Sequence, residues 1–263
     1  MITTDSDKLK DLANNFSLEA ADILLIHTKK SLWGWLIRRG THSYWNHALM
    51  VYSPGSPENC YGDTLVIDAK TGGTIEMDCL RKYIEREDKY DVAIKRLEVN
   101  RSQDNKQLYN SNFRNRICNI AANEVVVKSS SKSIELMNQA IRQITIILRF
   151  LKRKLYRSRK TPHLSWDIRP VQLKAFTCGG FVQWCYYKGI YQLTKERVLS
   201  KSKPEDVVFN PRAKKKVTPY ELLTTTPADL ANCSKLSWKY IIKNGLIREV
   251  SGNREVALHY GVI

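Results

Sequence analysis

The residue best placed to do chemistry is Cys178, in AFTCGGFVQWCYYKG (175–189). Thr177 has the type and position of a helix N-cap, and FVQWCYYK continues with apolar residues spaced to bury one helix face. A thiol in the first turn of such a helix meets unpaired backbone N–H groups and the positive end of the macrodipole. Both favour the thiolate. Gly179 and Gly180 are expected to leave room beside the sulfur, so that a carbonyl approaches it and its developing oxyanion points at backbone donors. Cys185, two turns on among Trp184, Tyr186 and Tyr187, is expected to be a core thiol. By itself the stretch fits a packed cysteine as well as a nucleophile.

A nucleophilic thiol needs a base, and histidine titrates in the right range. There are five. His47 opens the strand-like HALMVYS, a rigid mount, and Trp45 beside it could shield a site from water. His42 lies in a polar turn, His27 ends a strand, His163 follows a proline in a basic loop, and His259 is near the C-terminus. Taken singly, each fits a structural or surface role better than a catalytic one. A third polar group would fix the imidazole tautomer. Asp68 interrupts the apolar run LVIDA, where a buried carboxylate is costly without a partner. Strand alternation allows it equally to point outward, and the sequence leaves both open.

The elements that must position these residues follow from pattern. ADILLIHT (21–28), WNHALMVYS (45–53), LVIDAK (65–70) and DVAIKRL (91–97) are short apolar runs between charged or turn-forming residues, and are expected to be strands. SLWGWLIRRG (31–40) suggests a helix closed by Gly40, and DCLRKYIERED a helix capped by Asp78. Pro227 and Asp229 favour a turn or helix start, with a strand or two after it. Residues 101–165 are polar and helical in pattern. Within them Ile134, Met137, Ile141, Ile144, Leu148, Leu151 and Leu155 form one apolar stripe, followed by a densely basic end (149–160). Such a stripe more often faces a core than a membrane. No linker divides the chain, so one domain over 1–263 is expected, with a basic helical insertion at about 101–165.

The chain has 263 residues, 43% of them hydrophobic, enough for a sizeable core. A formal charge of +17 predicts attraction to polyanions such as nucleic acid, anionic lipid or anionic glycopolymer. The basic runs lack aromatic interleaving and any helix-turn-helix, zinc-finger or RNP-type signature, so nucleic acid is not favoured. The six cysteines form no CxxC pair, and cysteines and histidines do not fall at zinc-ligand spacings. The glycine pairs at 72 and 179 lack a phosphate-binding pattern. No metal and no cofactor is expected. The N-terminus does not have the pattern of a signal peptide and no apolar run would span a bilayer, so a reduced, cytoplasmic setting is expected, with membrane association left open.

WNHALMVYS, LVIDAKTGGTIEMD and VAIKRL, followed much later by FTCGGFVQWCYYKG and TPADLANCS, resemble the circularly permuted branch of the NlpC-type papain-like superfamily, the YiiX/YebB-like proteins. There the histidine strand precedes the cysteine helix. ADILLIHT and LIRRGTHSYWNH also match the family pattern, and the resemblance covers roughly 20–100 and 170–240. It implies an α+β, permuted papain-like fold with an antiparallel sheet packed against the cysteine helix. Carried over by position, it makes Cys178 the nucleophile, His47 the general base and Asp68 the third polar residue. Gly179 stands where a serine often follows the cysteine. The implied activity is a thiol-dependent hydrolase (amidase or peptidase) or acyltransferase on an amide or ester bond of a cell-wall-type peptide or a lipid. The implied partners are a peptide- or lipid-like substrate and, through the basic insertion, an anionic membrane surface or other polyanion. The competing readings are a basic nucleic-acid- or membrane-binding protein without catalysis, and a catalytically silent papain-like module.

Overall fold

The computed structural model describes residues 17–56, 60–70, 74–98, 110–129, 177–196, 204–210, 219–243 and 246–260. Among these, seven strands form one fully antiparallel sheet, and helices cover both of its faces. The strands are β1 (Ile23–Thr28), β2 (His47–Ser53), β3 (Leu65–Ala69), β4 (Ile75–Cys79), β5 (Tyr90–Leu97), β6 (Leu236–Lys243) and β7 (Leu246–Glu249), in the order β4-β3-β2-β1-β5-β6-β7. The fold is α+β.

Two-residue alternation divides each central strand between two cores. Ile23, Leu25, Ala48, Met50, Ile67 and Ala93 face one, and Leu24, Ile26, Leu49, Val51, Val66 and Ile94 face the other. Strands buried on both sides read as continuous apolar runs, which is why ILLI and ALMV show no polar alternation. The first core is closed by α4 (Ser111–Ser129) and α5 (Cys178–Lys195), through Phe113, Ile117, Ala121, Phe181, Val182 and Ile190. The second is closed by Leu80, Tyr83 and Ile84 around the short α3 (Arg81–Ile84). The remaining helices are α1 (Leu32–Thr41), α2 (Cys60–Asp63), α6 (Pro219–Leu223), α7 (Pro227–Asn232) and α8 (Asn253–Tyr260).

Four expectations change. Gly40 does not close α1: the helix runs through Thr41 and ends on His42, in the left-handed conformation with φ 50°. Asp78 does not cap α3 but lies in β4, pairing with Lys82, while Leu80 precedes the helix without a side-chain cap. That strand has exposed Glu76 and Met77, so its edge position masks the apolar signal. The C-terminal helix α8 was not legible as one, and it buries Val256 and Tyr260. Finally α4, from the polar stretch after residue 100, is a core element whose apolar side packs beside the cysteine helix. Its apolar residues Phe113, Ile117, Ile120 and Ala121 recur every three or four positions, diluted by Asn and Arg on the outer side. The stripe from Ile134 to Leu155, the basic run at 149–160 and His163 lie outside the described residues.

Candidate active site

Cys178 is the first residue of α5. Thr177 stands before it in extended conformation (φ −82°, ψ 162°) and its Oγ1 accepts the Gly180 amide at 2.9 Å. The expected N-cap is therefore present. The amides of Cys178 and Gly179 belong to a first turn, which has no intrahelical acceptors to offer them.

The two glycines serve a different purpose from the one expected. A Cβ on Gly180 would stand 1.9 Å from the Leu223 carbonyl oxygen, and one on Gly179 would stand 2.7 Å from that of Thr225. The room beside the helix mouth is filled by the chain's own 223–226 backbone. That segment is bonded to the cap: the Thr177 amide donates to Leu223 O at 3.1 Å and the Thr177 hydroxyl to Thr225 O at 2.5 Å. The segment is held in turn by α7. Thr226 and Asp229 form a reciprocal capping box with Pro227 at the helix start, fulfilling the expectation for Pro227 and Asp229. At the far end of α7 the buried Lys95 ammonium donates to the carbonyls of Leu230 (3.2 Å), Ala231 (2.6 Å) and Cys233 (3.1 Å), over the face of Trp238. Burial lowers Lys95 to about 8. These contacts fix the helix terminus, and with it Cys178, against β5.

His47 is the first residue of β2. Alternation sets it on the same side as Leu49, and Leu49 lies opposite Asp68 in β3. Its Nε2 is 2.7 Å from Asp68 Oδ1. Because His47 stands at the end of its strand, the ring also reaches the mouth of α5, close enough to the Cys178 side chain for the two to interact electrostatically. With Nε2 engaged by Asp68, Nδ1 is the nitrogen left for the thiol. Asp68 is 3% exposed and does not point to solvent. Its other oxygen accepts from the Tyr83 hydroxyl at 2.9 Å. A continuous line of polar groups thus runs Tyr83, Asp68, His47, Cys178, through both sides of the sheet end.

The electrostatics follow the line. Burial opposes charge on His47, but the Cys178 sulfur beside it, the hydrogen bond to Asp68 and the Asp68 charge outweigh it, holding the ring well above its ordinary value. Burial would raise Asp68, yet the hydrogen bond and charge of His47, the Tyr83 hydroxyl and Lys70 hold it below the usual carboxylate range. Tyr83 is pushed up by burial and by Asp68, so it remains a donor. The His47 side chain keeps 20% of its surface exposed and Cys178 is half-buried, so the reacting end is open while the orienting end is closed. With its pKa raised, the ring can take up a proton beside the thiol and return it.

The structure brings Cys178, His47 and Asp68 together. It places the other described histidines elsewhere: His27 Nδ1 is 2.9 Å from Tyr44 O, His42 is exposed, and the His259 carbonyl accepts from Lys243. Cys185 is wholly buried and its thiol is pushed well up by burial, in keeping with a core role. Trp45 is buried against Tyr44, Trp238 and Tyr260. Sequence reasoning missed Tyr83, which lies in the DCLRKYIERED segment read only as a helix. The signal available was its hydroxyl, because a tyrosine on a buried stripe needs a partner for its O–H. Among the described residues no group of three or more His, Cys, Asp or Glu stands together as a metal would require, and no helix is long and apolar enough to cross a membrane. No family model matches the chain, and no curated protein matches it in sequence.

Proposed function

We propose that the protein is a thiol-dependent hydrolase or acyltransferase acting on an amide or ester bond of a peptide- or lipid-like substrate, with a permuted papain-like fold of the NlpC type. The observation that carries this reading is the single imidazole of His47 set beside Cys178, at a helix N-terminus, and hydrogen-bonded through Nε2 to a buried carboxylate at 2.7 Å. The order of histidine strand, acid strand and then cysteine helix agrees with the resemblance to the YiiX/YebB-like proteins. In the reaction the Cys178 sulfur attacks the carbonyl carbon and the thiol proton passes to His47. The tetrahedral oxyanion is met by first-turn amides of α5. As the carbon–nitrogen or carbon–oxygen bond breaks, His47 protonates the leaving group and a thioester remains on Cys178. Water or another acceptor, deprotonated by His47, then attacks the thioester and frees the thiol. Asp68 keeps the ring oriented and favours its protonated form.

The test compares wild type with Cys178→Ala and His47→Ala, using iodoacetamide alkylation at each cysteine and thioester formation from an activated acyl ester, both read by intact and peptide mass. Wild-type Cys178 is expected to alkylate at near-neutral pH about tenfold or more faster than an ordinary exposed thiol, and to carry the acyl group. Both properties should depend on His47. Equal reaction of Cys178 with and without His47, at the rate of an ordinary thiol, would sink the assignment.

A further inference from the structure

Helix α1 joins β1 to β2, and β2 opens with His47, so α1 stands at the same end of the sheet as the Cys178–His47 pair. Its inner side is fixed. A Cβ at Gly34 would stand 2.8 Å from Asn46 Nδ2. Asn46 Oδ1 accepts from the Thr28 amide at 2.7 Å, and Arg38 donates to Thr28 O at 2.9 Å. Its outer side is apolar and bare: Leu32 is 76%, Trp35 47% and Leu36 44% exposed. These positions are spaced i, i+3, i+4 and form one stripe. Among the described residues the other exposed large hydrophobics, Met77 and Leu258, lie singly on separate elements and form no patch.

The sequence that carries the stripe has charges of one sign. From residue 23 through 57 there is no Asp or Glu, while Lys29, Lys30, Arg38 and Arg39 flank or lie on the helix. Lys29 is 3.0 Å from Asp91. Lys30 and Arg39 are exposed, and Arg39 lies 5.6 Å from the Trp35 ring centroid. A second copy of the chain on this face would set those cations against themselves. A nucleic acid would meet the cations but leave Leu32 and Leu36 without apolar partners. A bilayer with anionic headgroups satisfies both halves of the surface, because aliphatic and indole side chains enter the acyl boundary while basic groups stay with the phosphates.

We propose that α1 docks the protein on an anionic membrane surface, with Leu32, Trp35 and Leu36 inserted and Lys30 and Arg39 at the headgroups. The open side of the cysteine site then lies at the end of the molecule that meets the lipid. Docking does not depend on Cys178 being catalytic.

The experiment is co-sedimentation of the full chain with vesicles of phosphatidylcholine alone or mixed with phosphatidylserine, together with quenching of tryptophan fluorescence by lipids brominated in the acyl chain. Wild type is expected to bind the anionic vesicles. The triple variant Leu32→Ser, Trp35→Ser, Leu36→Ser should bind them about tenfold or more weakly, and Lys30→Glu with Arg39→Glu should weaken binding in its own right if the triple variant proves unstable. Trp35→Phe should still bind but lose part of the quenching. Cys178→Ala should bind as wild type does, so loss of chemistry and loss of docking are separate results. Vesicle binding that neither variant weakens, or wild type that ignores vesicles while the triple variant turns a dimer into a monomer, would overturn the proposal.

Discussion

Asp22 and Asp68 are both buried aspartates at the sheet, and the sheet uses them in opposite ways. Asp22, just before β1, is fully buried, and its oxygens accept from Arg96 Nε and Nη2 at 2.7 Å each and from the Glu19 amide at 2.8 Å. Arg114 of α4 joins the group through Glu19 at 2.7 Å. Burial still pushes the Asp22 carboxyl up against the pull of Arg96. Asp68, near the other end of the sheet, is also buried, but its partners are an imidazole and a phenol, and it is held down. Arginine cannot give up its proton near neutral pH, so the Asp22 end is a fixed joint between β1, β5 and α4. Histidine can, and its ring is part-open, so the Asp68 end can move a proton.

The largest effect that separates the two ends is expected from Arg96→Leu. Removing one partner of a buried pair strands the other charge, and the cost should be about 3–5 kcal/mol in urea unfolding. The alkylation rate of Cys178 in the folded fraction should not change. A cost below about 1 kcal/mol would make this end an ordinary surface pair.

Next comes Asp68→Asn, which keeps the side chain's shape and removes its charge. Turnover of an activated acyl ester should fall roughly ten- to hundredfold, the worth of a hydrogen bond between charged groups. The pH dependence carries the sign. His47 is raised in the folded state, so the stability it contributes is complete below its unfolded value of about 6.5 and is lost as pH rises through the folded value. Asp68 is lowered, so its contribution is present above about 3.9 and is lost as pH falls through its folded value. Asp68→Asn removes one cause of the raised His47, and the alkaline limb of the pH–rate profile should move to lower pH. A limb that stays in place would show that Asp68 only packs.

How much of this was legible depended on the range of the interaction. The helix cap at Thr177, the start of α7 at Pro227 and the strands carrying His47 and Asp68 are set by neighbours within a few positions, and these were readable. The pairing of Asp68 with His47 was left open by the residues alone and came only with the family resemblance, because alternation gives the side of the strand only once the sheet neighbour and register are known. Leu49 opposite Asp68 is a tertiary fact. For the same reason Gly179 and Gly180 suggested empty space from sequence, while the fold fills that space with Leu223–Thr226 backbone some 45 positions on. Lys95 could not be assigned either, since its three carbonyl acceptors lie beyond residue 229.

The finest difference between the two ends is Tyr83, for which the Asp22 cluster offers no titrating counterpart among its arginines. Tyr83→Phe deletes one neutral donor to a carboxylate and leaves the ring packed in the second core beside Leu80 and Ile84. Stability should fall by about 1.5–3 kcal/mol, the worth of a hydrogen bond to a charged group. Losing that hydrogen bond removes one of the causes that hold Asp68 low, so the acid limb of the pH–rate profile should move to higher pH, while the alkaline limb, governed by His47, should shift far less than in Asp68→Asn. A tyrosine that merely fills the core would change the melting temperature and neither limb. The movement of the acid limb therefore tests whether the line of polar groups extends past Asp68 or stops there.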